Sequence, residues 1–234
     1  MARDPVVAAL ILAAGRGQRL GAGISKAFVL LDGKTLVERS IRALHAGKRI
    51  DRIVPVVADR DLSVFEGLRG SFSDISALVD PVSGGAERQD SMRAGLASLS
   101  DDVEFVAVHD AARCLVDPQD LERVIDAAIA TGAAILGERV RDTIKRVVDG
   151  RIVESPDRSN LWAAQTPQVF RRDWLEAATT AGERAGLRVT DDAALVEAQG
   201  YSVSMVEARS PNPKITRPED LVLARGLLEA GRRA

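Results

Sequence analysis

Residues 9–28 read ALILAAGRGQRLGAGISKAF, and this stretch decides the fold. Its apolar part belongs to a longer run, Val6–Ala14, which breaks directly into a turn that carries Gly15 and Gly17. A buried strand followed by a glycine-bearing turn is typical of an open parallel sheet, so we predict a strand over Val6–Ala14. Ligands of such sheets bind beyond the carboxyl ends of the strands, which makes the turn a candidate binding site.

The rest of the chain alternates between apolar runs and amphipathic stretches. Strands that are apolar on both faces and separated by helices indicate a mostly parallel sheet covered on both sides. We therefore predict a doubly wound α/β fold, formed by a single domain over residues 1–234. The further predicted strands are Ile53–Ala58, Ile75–Val79, Val103–His109, Ala133–Val140 and Tyr201–Val206. The predicted helices are Thr35–Ala46, a short one ending at Arg69, Glu87–Leu99, Asp120–Ala130, Asp173–Ala185, Ala193–Gln199 and one that starts at Pro218.

One segment, TIKRVVDGRIVE at residues 143–154, interrupts this alternation. Its two extended halves flank Asp149 and Gly150, a pair that favours the positive backbone angles of a tight hairpin turn. We predict a β-hairpin that protrudes as an arm over about residues 140–160. A two-stranded ribbon is marginal on its own, so the arm needs a surface to pack on, and a second subunit is a good candidate.

The turn after the first strand indicates phosphate binding, and two kinds of phosphate are candidates. A dinucleotide fingerprint requires a third glycine where this chain has Leu20. The loop also runs on for many residues and carries Arg16, Arg19 and Lys26. Three cations in one long loop suit a triphosphate, whose reaction spreads charge over several oxygens. The alternative without a function is a basic loop that is simply solvated.

A second candidate is VHDAAR, which ends at Arg113 and lies at the end of the strand Val103–His109. The first and fourth strands of a doubly wound sheet are commonly neighbours, so Asp110 is expected to face the opening loop. A carboxylate there suits Mg²⁺ held against triphosphate oxygens, although an aspartate that caps a turn is an equal alternative. We interpret His109 as a hydrogen-bonded core residue and Cys114 as a buried structural thiol.

Two more loops carry residues of interest. In SGGAERQDS, Gly84 and Gly85 allow the backbone to approach a flat ligand such as a base, and Ser91 either caps the next helix or touches the ligand. In NPKITRPEDL, residues 212–221, Lys214 lies between two prolines and is therefore held fairly rigidly.

Composition narrows the possible partners and location. Thirty-two basic and thirty-four acidic side chains give a net charge of -2, so we expect no nucleic-acid partner. The chain has one cysteine and two histidines, which indicates a reducing, cytoplasmic location and argues against structural zinc. The apolar run Val6–Ala14 is too short to cross a bilayer, so no membrane association is expected; a signal peptide is the weaker alternative reading of that run.

Taken together, these motifs resemble the 2-C-methyl-D-erythritol 4-phosphate cytidylyltransferase family of the non-mevalonate isoprenoid pathway. The likeness runs nearly end to end. AAGxGxR alone is shared by many sugar nucleotidyltransferases, whereas VHDAAR together with the arm motif is far more specific. The matching stretches are AAGRGQRL with the trailing Lys26, GGAERQDS, VHDAAR, VRDTIKR, TPQVF, TDDA and KITRPEDL.

The resemblance implies a Rossmann-like nucleotidyltransferase fold and a Mg²⁺-dependent transfer of CMP from CTP to methylerythritol phosphate, with release of pyrophosphate. It implies that Arg19, Lys26 and Lys214 are the catalytic cations and that Asp110 binds the metal. The implied nucleotide site comprises Ala13, Ala14, Gly15, Gly17, Gly84, Gly85, Ser91, Asp110 and Ala111. The implied sugar-phosphate site comprises Arg113, Thr143, Arg158 and Thr190, with the arm of each subunit of a homodimer completing the site of the other.

The chain departs from the family pattern at three positions. Ser25 stands where the family generally has proline before its loop lysine, Ala86 where aspartate is frequent, and Cys114 where proline is common. None of these changes removes a charge that the reaction needs.

The alternative functions are a nucleotidyltransferase for another base or polyol phosphate such as ribitol 5-phosphate, a dinucleotide-dependent oxidoreductase, and a non-catalytic nucleotide sensor.

Overall fold

The apolar run of the opening stretch forms a central strand in the computed structural model, which describes residues 3–15 and 25–231. In chain order, the strands are β1 (Val7–Leu12), β2 (Leu30–Leu31), β3 (Lys34–Thr35), β4 (Arg52–Ala58), β5 (Val82–Gly84), β6 (Phe105–Asp110), β7 (Ala133–Arg139), β8 (Arg146–Val148), β9 (Arg151–Glu154), β10 (Trp162–Arg171) and β11 (Ser204–Glu207). The helices are α1 (Leu36–Ala46), α2 (Leu62–Gly67), α3 (Arg88–Ala97), α4 (Pro118–Thr131), α5 (Arg172–Arg184), α6 (Asp192–Glu197) and α7 (Pro218–Gly231).

Seven of these strands form the main sheet, in the order β11-β7-β10-β6-β1-β4-β5. β1 pairs in parallel with β4 on one side and with β6 on the other. Among the described strands of this sheet, only β10 runs antiparallel to its neighbours, β6 and β7. The predicted doubly wound, mostly parallel α/β fold is therefore confirmed, as is the predicted neighbour relation between the first strand and the strand that ends at Asp110.

Both faces of the sheet are covered at its centre, which explains why β1 is apolar throughout. Along β1, Ala9 and Ile11 point into one buried cluster, and Ala8 and Leu10 point into the other. Side chains of α1 and α4 pack in the first cluster, and those of α3, α5 and α6 pack in the second. This arrangement leaves the ends of the strands as the open part of the sheet.

Local sequence signals set the ends of α1 and α4. Thr35 caps α1 by accepting a hydrogen bond from the Glu38 amide. Asp117 caps α4 just before Pro118, and Gly132 ends that helix with a positive φ of 94°. These caps explain why α1 and α4 match the predicted helices closely.

Two of the predicted strands differ from the structure. Residues 75–79 form a turn with one bridge between Ile53 and Leu78, and the strand that continues the pairing with β4 is β5. A short apolar run fills the core equally well as a turn, so its composition alone could not identify a strand. The strand predicted from Tyr201 begins only at Ser204, which pairs with Ala134 at the start of β7, and Tyr201 instead stacks on the Trp174 ring at a centroid distance of 4.2 Å.

Strand β10 is absent from the sequence prediction, although it is the longest strand in the described chain. Pro167 lies inside it, and proline within a run normally argues against a strand. The pairing with β7 shifts register between Ala164 and Gln168, so the proline lies at an irregularity where a ladder bond is already missing.

The predicted hairpin is confirmed as a two-stranded unit, β8 paired with β9. Asp149 and Gly150 have φ values of 48° and 74°, as a tight hairpin turn between right-twisted strands requires. Every residue of the two strands is exposed. The arm therefore does not pack on the described part of its own subunit.

His109 in β6 is confirmed as a buried, hydrogen-bonded residue. Its ring is fully enclosed, and Nδ1 lies 3.1 Å from the Thr166 hydroxyl oxygen. Burial lowers the pKa of His109 from 6.5 to about 4. The ring is therefore neutral in the folded protein at pH values where an unfolded chain begins to protonate it.

We expect this difference to make the protein less stable as the pH falls from about 6.5 towards 4. In that window the unfolded chain binds a proton at His109 and the folded chain does not, so acid favours unfolding. Urea unfolding at pH 7, 6 and 5 should show a shallower pH dependence for His109→Gln than for the wild type. His45→Gln is the matched control, since the chain has only these two histidines. Equal pH slopes in wild type and His109→Gln would contradict the assignment.

Candidate active site

A cavity of about 320 Å³ lies at the carboxyl ends of β1 and β6, where the sheet order places the predicted crevice. The Ala13 amide donates to the Val56 carbonyl, and the Ala111 amide donates to the Leu12 carbonyl. These bonds continue the strand pairing by one residue, and the residues that follow β1 and β6 line the cavity. The sequence-predicted residues that line it are Ala13, Ala14, Gly15, Lys26, Gly85, Ser91, Asp110, Ala111 and Lys214.

Asp110 is the electrostatic centre of the cavity. Its Oδ1 accepts from Arg88 Nε at 3.2 Å, and its Oδ2 lies 2.6 Å from Lys214 Nζ. Burial alone would raise the pKa of this carboxyl, but the charges of Arg88 and Lys214 outweigh burial and lower it below the usual range. Asp110 is therefore ionised, and each of its oxygens faces a cation.

Arg88 extends the ion cluster to a second carboxylate. Its Nη1 lies 2.7 Å from Oδ2 of Asp192, a fully buried residue at the start of α6. Burial raises the pKa of Asp192, and Arg88 opposes that rise. The functions of Arg88 and Asp192 were not predicted from the sequence, although GGAERQDS and TDDA both belong to the matching motifs. The signal was the pair of aspartates in TDDA, since a buried acid needs a cation partner.

Lys214 is held in the cavity wall from both sides of the chain. The Ile215 amide donates to the Ala112 carbonyl at 2.8 Å, and Ile215 itself is fully buried. On the other side, Asn212 Nδ2 donates to the Thr166 carbonyl at 2.9 Å. Thr166 also accepts from the Asp110 amide, so β10 supports both charges of the Asp110–Lys214 pair.

Arg113, a predicted substrate contact, does not line the cavity. Its guanidinium donates to the Asn212 carbonyl at 2.8 Å and to the Ala164 carbonyl at 3.3 Å. Burial lowers the pKa of this guanidinium below its usual value. In this arrangement Arg113 braces the segment that carries Lys214.

The end of β5 lies so close to the turn after β1 that only glycine fits at Gly84. A Cβ atom there would lie 2.6 Å from the Ala14 Cβ and 2.8 Å from the Ser91 hydroxyl oxygen. Ser91 does not cap α3: Glu87 is the N-cap residue, and the Ser91 hydroxyl donates to the Glu87 carbonyl. Gly84 itself does not line the cavity, but its lack of a side chain lets Ala14 and Ser91, which do line it, lie close together.

The other described residues that the sequence predicted for the sugar phosphate, Thr143, Arg158 and Thr190, do not line the cavity of their own subunit. Gly17 and Arg19 lie outside the described residues. Thr143 and Arg158 belong to the exposed arm, where Arg158 Nη1 donates to the Arg141 carbonyl at 2.6 Å, and Thr190 is exposed before α6. Cys114 is confirmed as a buried thiol, and burial raises its pKa to about 12, which excludes it as a nucleophile at neutral pH.

The carboxylates of the cavity suit a hard cation that shares its ligands with phosphate. Asp110 and Glu87 both line the cavity. Within residues 3–15 and 25–231, no group of three or more acidic, histidine or cysteine side chains could hold a metal ion. Mg²⁺ is commonly bound by one or two carboxylates together with substrate phosphate oxygens, so the residues present fit this ion.

No helix in the described part of the chain is long and apolar enough to span a membrane.

Comparison with known proteins identifies the family. The family model described as 2-C-methyl-D-erythritol 4-phosphate cytidylyltransferase (IspD) matches residues 7–230. A protein with that name from Geobacillus kaustophilus is 42% identical over 222 residues, which cover 94% of this chain and 96% of the relative. A bifunctional IspD/IspF enzyme from Rhodospirillum rubrum is also 42% identical, and there the match covers 94% of this chain and 56% of the relative.

Solved structures give the same result for the fold. The 4-diphosphocytidyl-2C-methyl-D-erythritol synthase of Anaerococcus prevotii is 26% identical, with a TM-score of 0.84 over 96% of this chain and 99% of that one. The 2-C-methyl-D-erythritol 4-phosphate cytidylyltransferase of Thermus thermophilus is 32% identical, with a TM-score of 0.77 over 96% and 99% of the two chains. A family match of this extent confirms the resemblance seen in the motifs: the chain belongs to the 2-C-methyl-D-erythritol 4-phosphate cytidylyltransferase family.

Proposed function

We propose that this cavity transfers CMP from CTP to 2-C-methyl-D-erythritol 4-phosphate, giving CDP-methylerythritol and pyrophosphate. The observation that carries the proposal is the convergence of Lys26, Asp110 and Lys214 on one cavity at the carboxyl edge of the sheet. These residues come from three separate segments of a chain that belongs to the family.

The chemistry is a displacement at phosphorus. An oxygen of the substrate phosphate forms a bond to the α-phosphorus of CTP in line with the leaving group. The bond from that phosphorus to the bridging oxygen breaks, and pyrophosphate leaves with the electron pair. A phosphate monoester near neutral pH is already a nucleophile, so the protein need not supply an acid or a base.

The main barrier that the protein must lower is repulsion between two anions. Lys26 and Lys214 would bind the triphosphate from opposite segments of the cavity wall, with Arg19 as a third cation. Charge-assisted hydrogen bonds gain strength in a site with little water, and they stabilise charge that builds up in the transition state. Asp110 would hold Mg²⁺, which when bound neutralises charge on the phosphate oxygens.

The small residues of the cavity would form the nucleoside site. Ala13, Ala14, Gly15 and Ala111 follow the ends of β1 and β6, whereas Gly84 ends β5, Gly85 follows it and Ser91 lies in the first turn of α3. A wall of glycine and alanine lets backbone amides and carbonyls approach a base edge and ribose closely. Gly17 would belong to the same site.

We further propose that the protein is a cytoplasmic homodimer in which each subunit supplies one nucleotidyltransferase domain. The arm carries four exposed β-branched apolar residues, Val147, Val148, Ile152 and Val153, which are each more than half exposed in one subunit. An exposed apolar ribbon is typical of an interface. Thr143 and Arg158 of the arm would then bind the sugar phosphate of the partner's site, with Thr190 and Arg113 from the subunit that holds CTP.

Pyrophosphate release tests the reaction directly. We expect release only with CTP and methylerythritol phosphate together, and at most weak release with ATP, GTP or UTP. A parallel assay with ribitol 5-phosphate as the acceptor tests the alternative substrate. Release with ribitol 5-phosphate but not with methylerythritol phosphate would overturn the proposal.

Replacing Lys26 should slow the reaction more than replacing an ordinary lysine. We expect Lys26→Ala to lower kcat about a hundredfold or more, because one transition-state contact to developing charge is lost. The matched control is Lys34→Ala, which removes a half-buried lysine that pairs with Glu38 at 2.9 Å outside the cavity. Near-normal turnover by Lys26→Ala would remove this residue from the mechanism.

Subunit mixing tests whether the arm serves the partner. Lys26→Ala and Arg158→Ala proteins are each expected to be weakly active, and a mixed dimer then contains one site with both residues intact. With full exchange of equal amounts, about a quarter of the sites are complete, so about a quarter of wild-type activity should return. Absence of any recovery after subunit exchange has been verified by mass spectrometry would mean that each arm serves its own subunit.

A further inference from the structure

The residue before the cavity lysine makes a contact that the reaction scheme does not use. The Ser25 hydroxyl donates to Asp61 Oδ2 at an oxygen–oxygen distance of 2.5 Å, and it accepts from Arg60 Nη2 at 3.2 Å. Ser25 and Asp61 are 8% and 7% exposed, so water competes little for this hydrogen bond. A short, buried hydrogen bond to a carboxylate is among the stronger kinds in proteins.

This contact joins two turns at the same edge of the sheet. Asp61 ends the 3-10 turn Asp59–Asp61, which follows β4, and Ser25 precedes the 3-10 turn Lys26–Phe28. The Ser25 hydroxyl makes no cap within its own turn. The Ser25 side chain instead donates a hydrogen bond to Asp61. This bond connects the start of the turn that carries Lys26 to the turn that follows β4.

The backbone of Lys26 is consequently fixed on both sides. Upstream is Ser25, bound to Asp61, and downstream Ala27 and Phe28 are 3% and 6% exposed. The Phe28 amide donates to the Ser25 carbonyl at 2.9 Å, and the Val29 amide donates to the Lys26 carbonyl at 3.1 Å. With its neighbours held, Lys26 enters the cavity from a defined point.

We propose that Asp61 is a positioning residue that fixes Lys26 through the Ser25 hydroxyl. Asp61 does not line the cavity and has no part in the chemistry. It restricts the backbone before the lysine. The ammonium group then binds the triphosphate without the loss of conformational entropy that ordering the turn would require. The consequence for turnover rests on the proposed function, whereas the consequence for the order of the turn does not.

The backbone angle of Ser25 allows a rescue experiment. Its φ is -61°, within the range that a proline ring imposes. Ser25→Pro therefore restrains the same angle by a covalent ring, without the hydroxyl and without Asp61. If Asp61 acts only through Ser25, its loss should matter in the Ser25 protein and hardly matter after Ser25→Pro.

Kinetics in the two backgrounds test this dependence. We expect Asp61→Ala to lower kcat/KM about tenfold in the otherwise wild-type protein, because a misplaced charge contact stabilises the transition state less well. Adding Asp61→Ala to Ser25→Pro should lower kcat/KM less than about twofold relative to Ser25→Pro alone. An equal loss in both backgrounds would show that Asp61 acts by another route and would overturn the proposal.

Two further variants separate positioning from general damage. Asp59→Ala removes an exposed carboxylate from the same turn without a contact to Ser25, and it should leave kcat/KM unchanged. Asp61→Asn retains an oxygen that accepts the Ser25 hydroxyl, and it should retain most of kcat/KM. If Asp61→Ala does not fold, Ser25→Ala removes the same hydrogen bond from the other side and should give the same tenfold loss.

Amide hydrogen exchange measures the turn independently of any reaction. The Phe28 and Val29 amides should exchange about tenfold faster in Asp61→Ala than in wild type, and Ser25→Pro should restore their protection in the double variant. Unchanged exchange in Asp61→Ala would overturn the proposal even if the enzyme is active. Faster exchange with rescue, in a wild-type protein that releases no pyrophosphate, would support the positioning and contradict the proposed reaction.

Discussion

The cavity depends on the charge of one buried carboxylate, Asp110. An ionised aspartate at the end of β6 is expensive to bury, because an unpaired charge that leaves water loses several kcal/mol of solvation. Arg88 and Lys214 offset that loss, and they come from segments far apart in the chain. The need to neutralise Asp110 thus holds the loop after β5 and the segment before α7 against the end of β6, and the space between them is the cavity. Asp192 continues the same constraint by holding Arg88 from α6.

The balance of these charges also explains how an ion cluster that stabilises the fold still accepts a highly charged ligand. Arg88 and Lys214 together offset Asp110 and Asp192, so this cluster has no net formal charge. Lys26 is a further cation on the same cavity. The ammonium group of Lys214 has three donors, and its contact with Asp110 Oδ2 leaves others for phosphate. Lys26 and Lys214 both line the cavity, and these two ammonium groups are suited to attract a triphosphate.

Much of this architecture is predictable from the sequence because strand periodicity and helix caps are local. The strand before Gly15, the capped helices α1 and α4 and the turn at Asp149 all follow from residues next to one another. The long strand β10 was missed because its proline is tolerated only at a register shift, and that shift exists only once β7 is beside it. For the same reason, the sequence predicted which residues belong to the cavity but not which of them pair with one another. The pairing of Arg88 with Asp192 joins residues 104 positions apart, and the brace between Arg113 and Asn212 joins residues 99 apart.

In the arm, by contrast, the local sequence pattern is informative because its apolar residues are left exposed within the described part of one subunit. Successive residues of a strand point to opposite faces, so Val147 and Val148 place apolar side chains on both faces of the ribbon, as do Ile152 and Val153 on the other strand. Folding the arm onto its own subunit would cover one face and leave the other in water. A surface that encloses both faces is needed, and a groove formed between two subunits can provide it, whereas a single flat surface cannot. An arm with two apolar faces is therefore consistent with the proposed homodimer, in which the two subunits would build such a groove together.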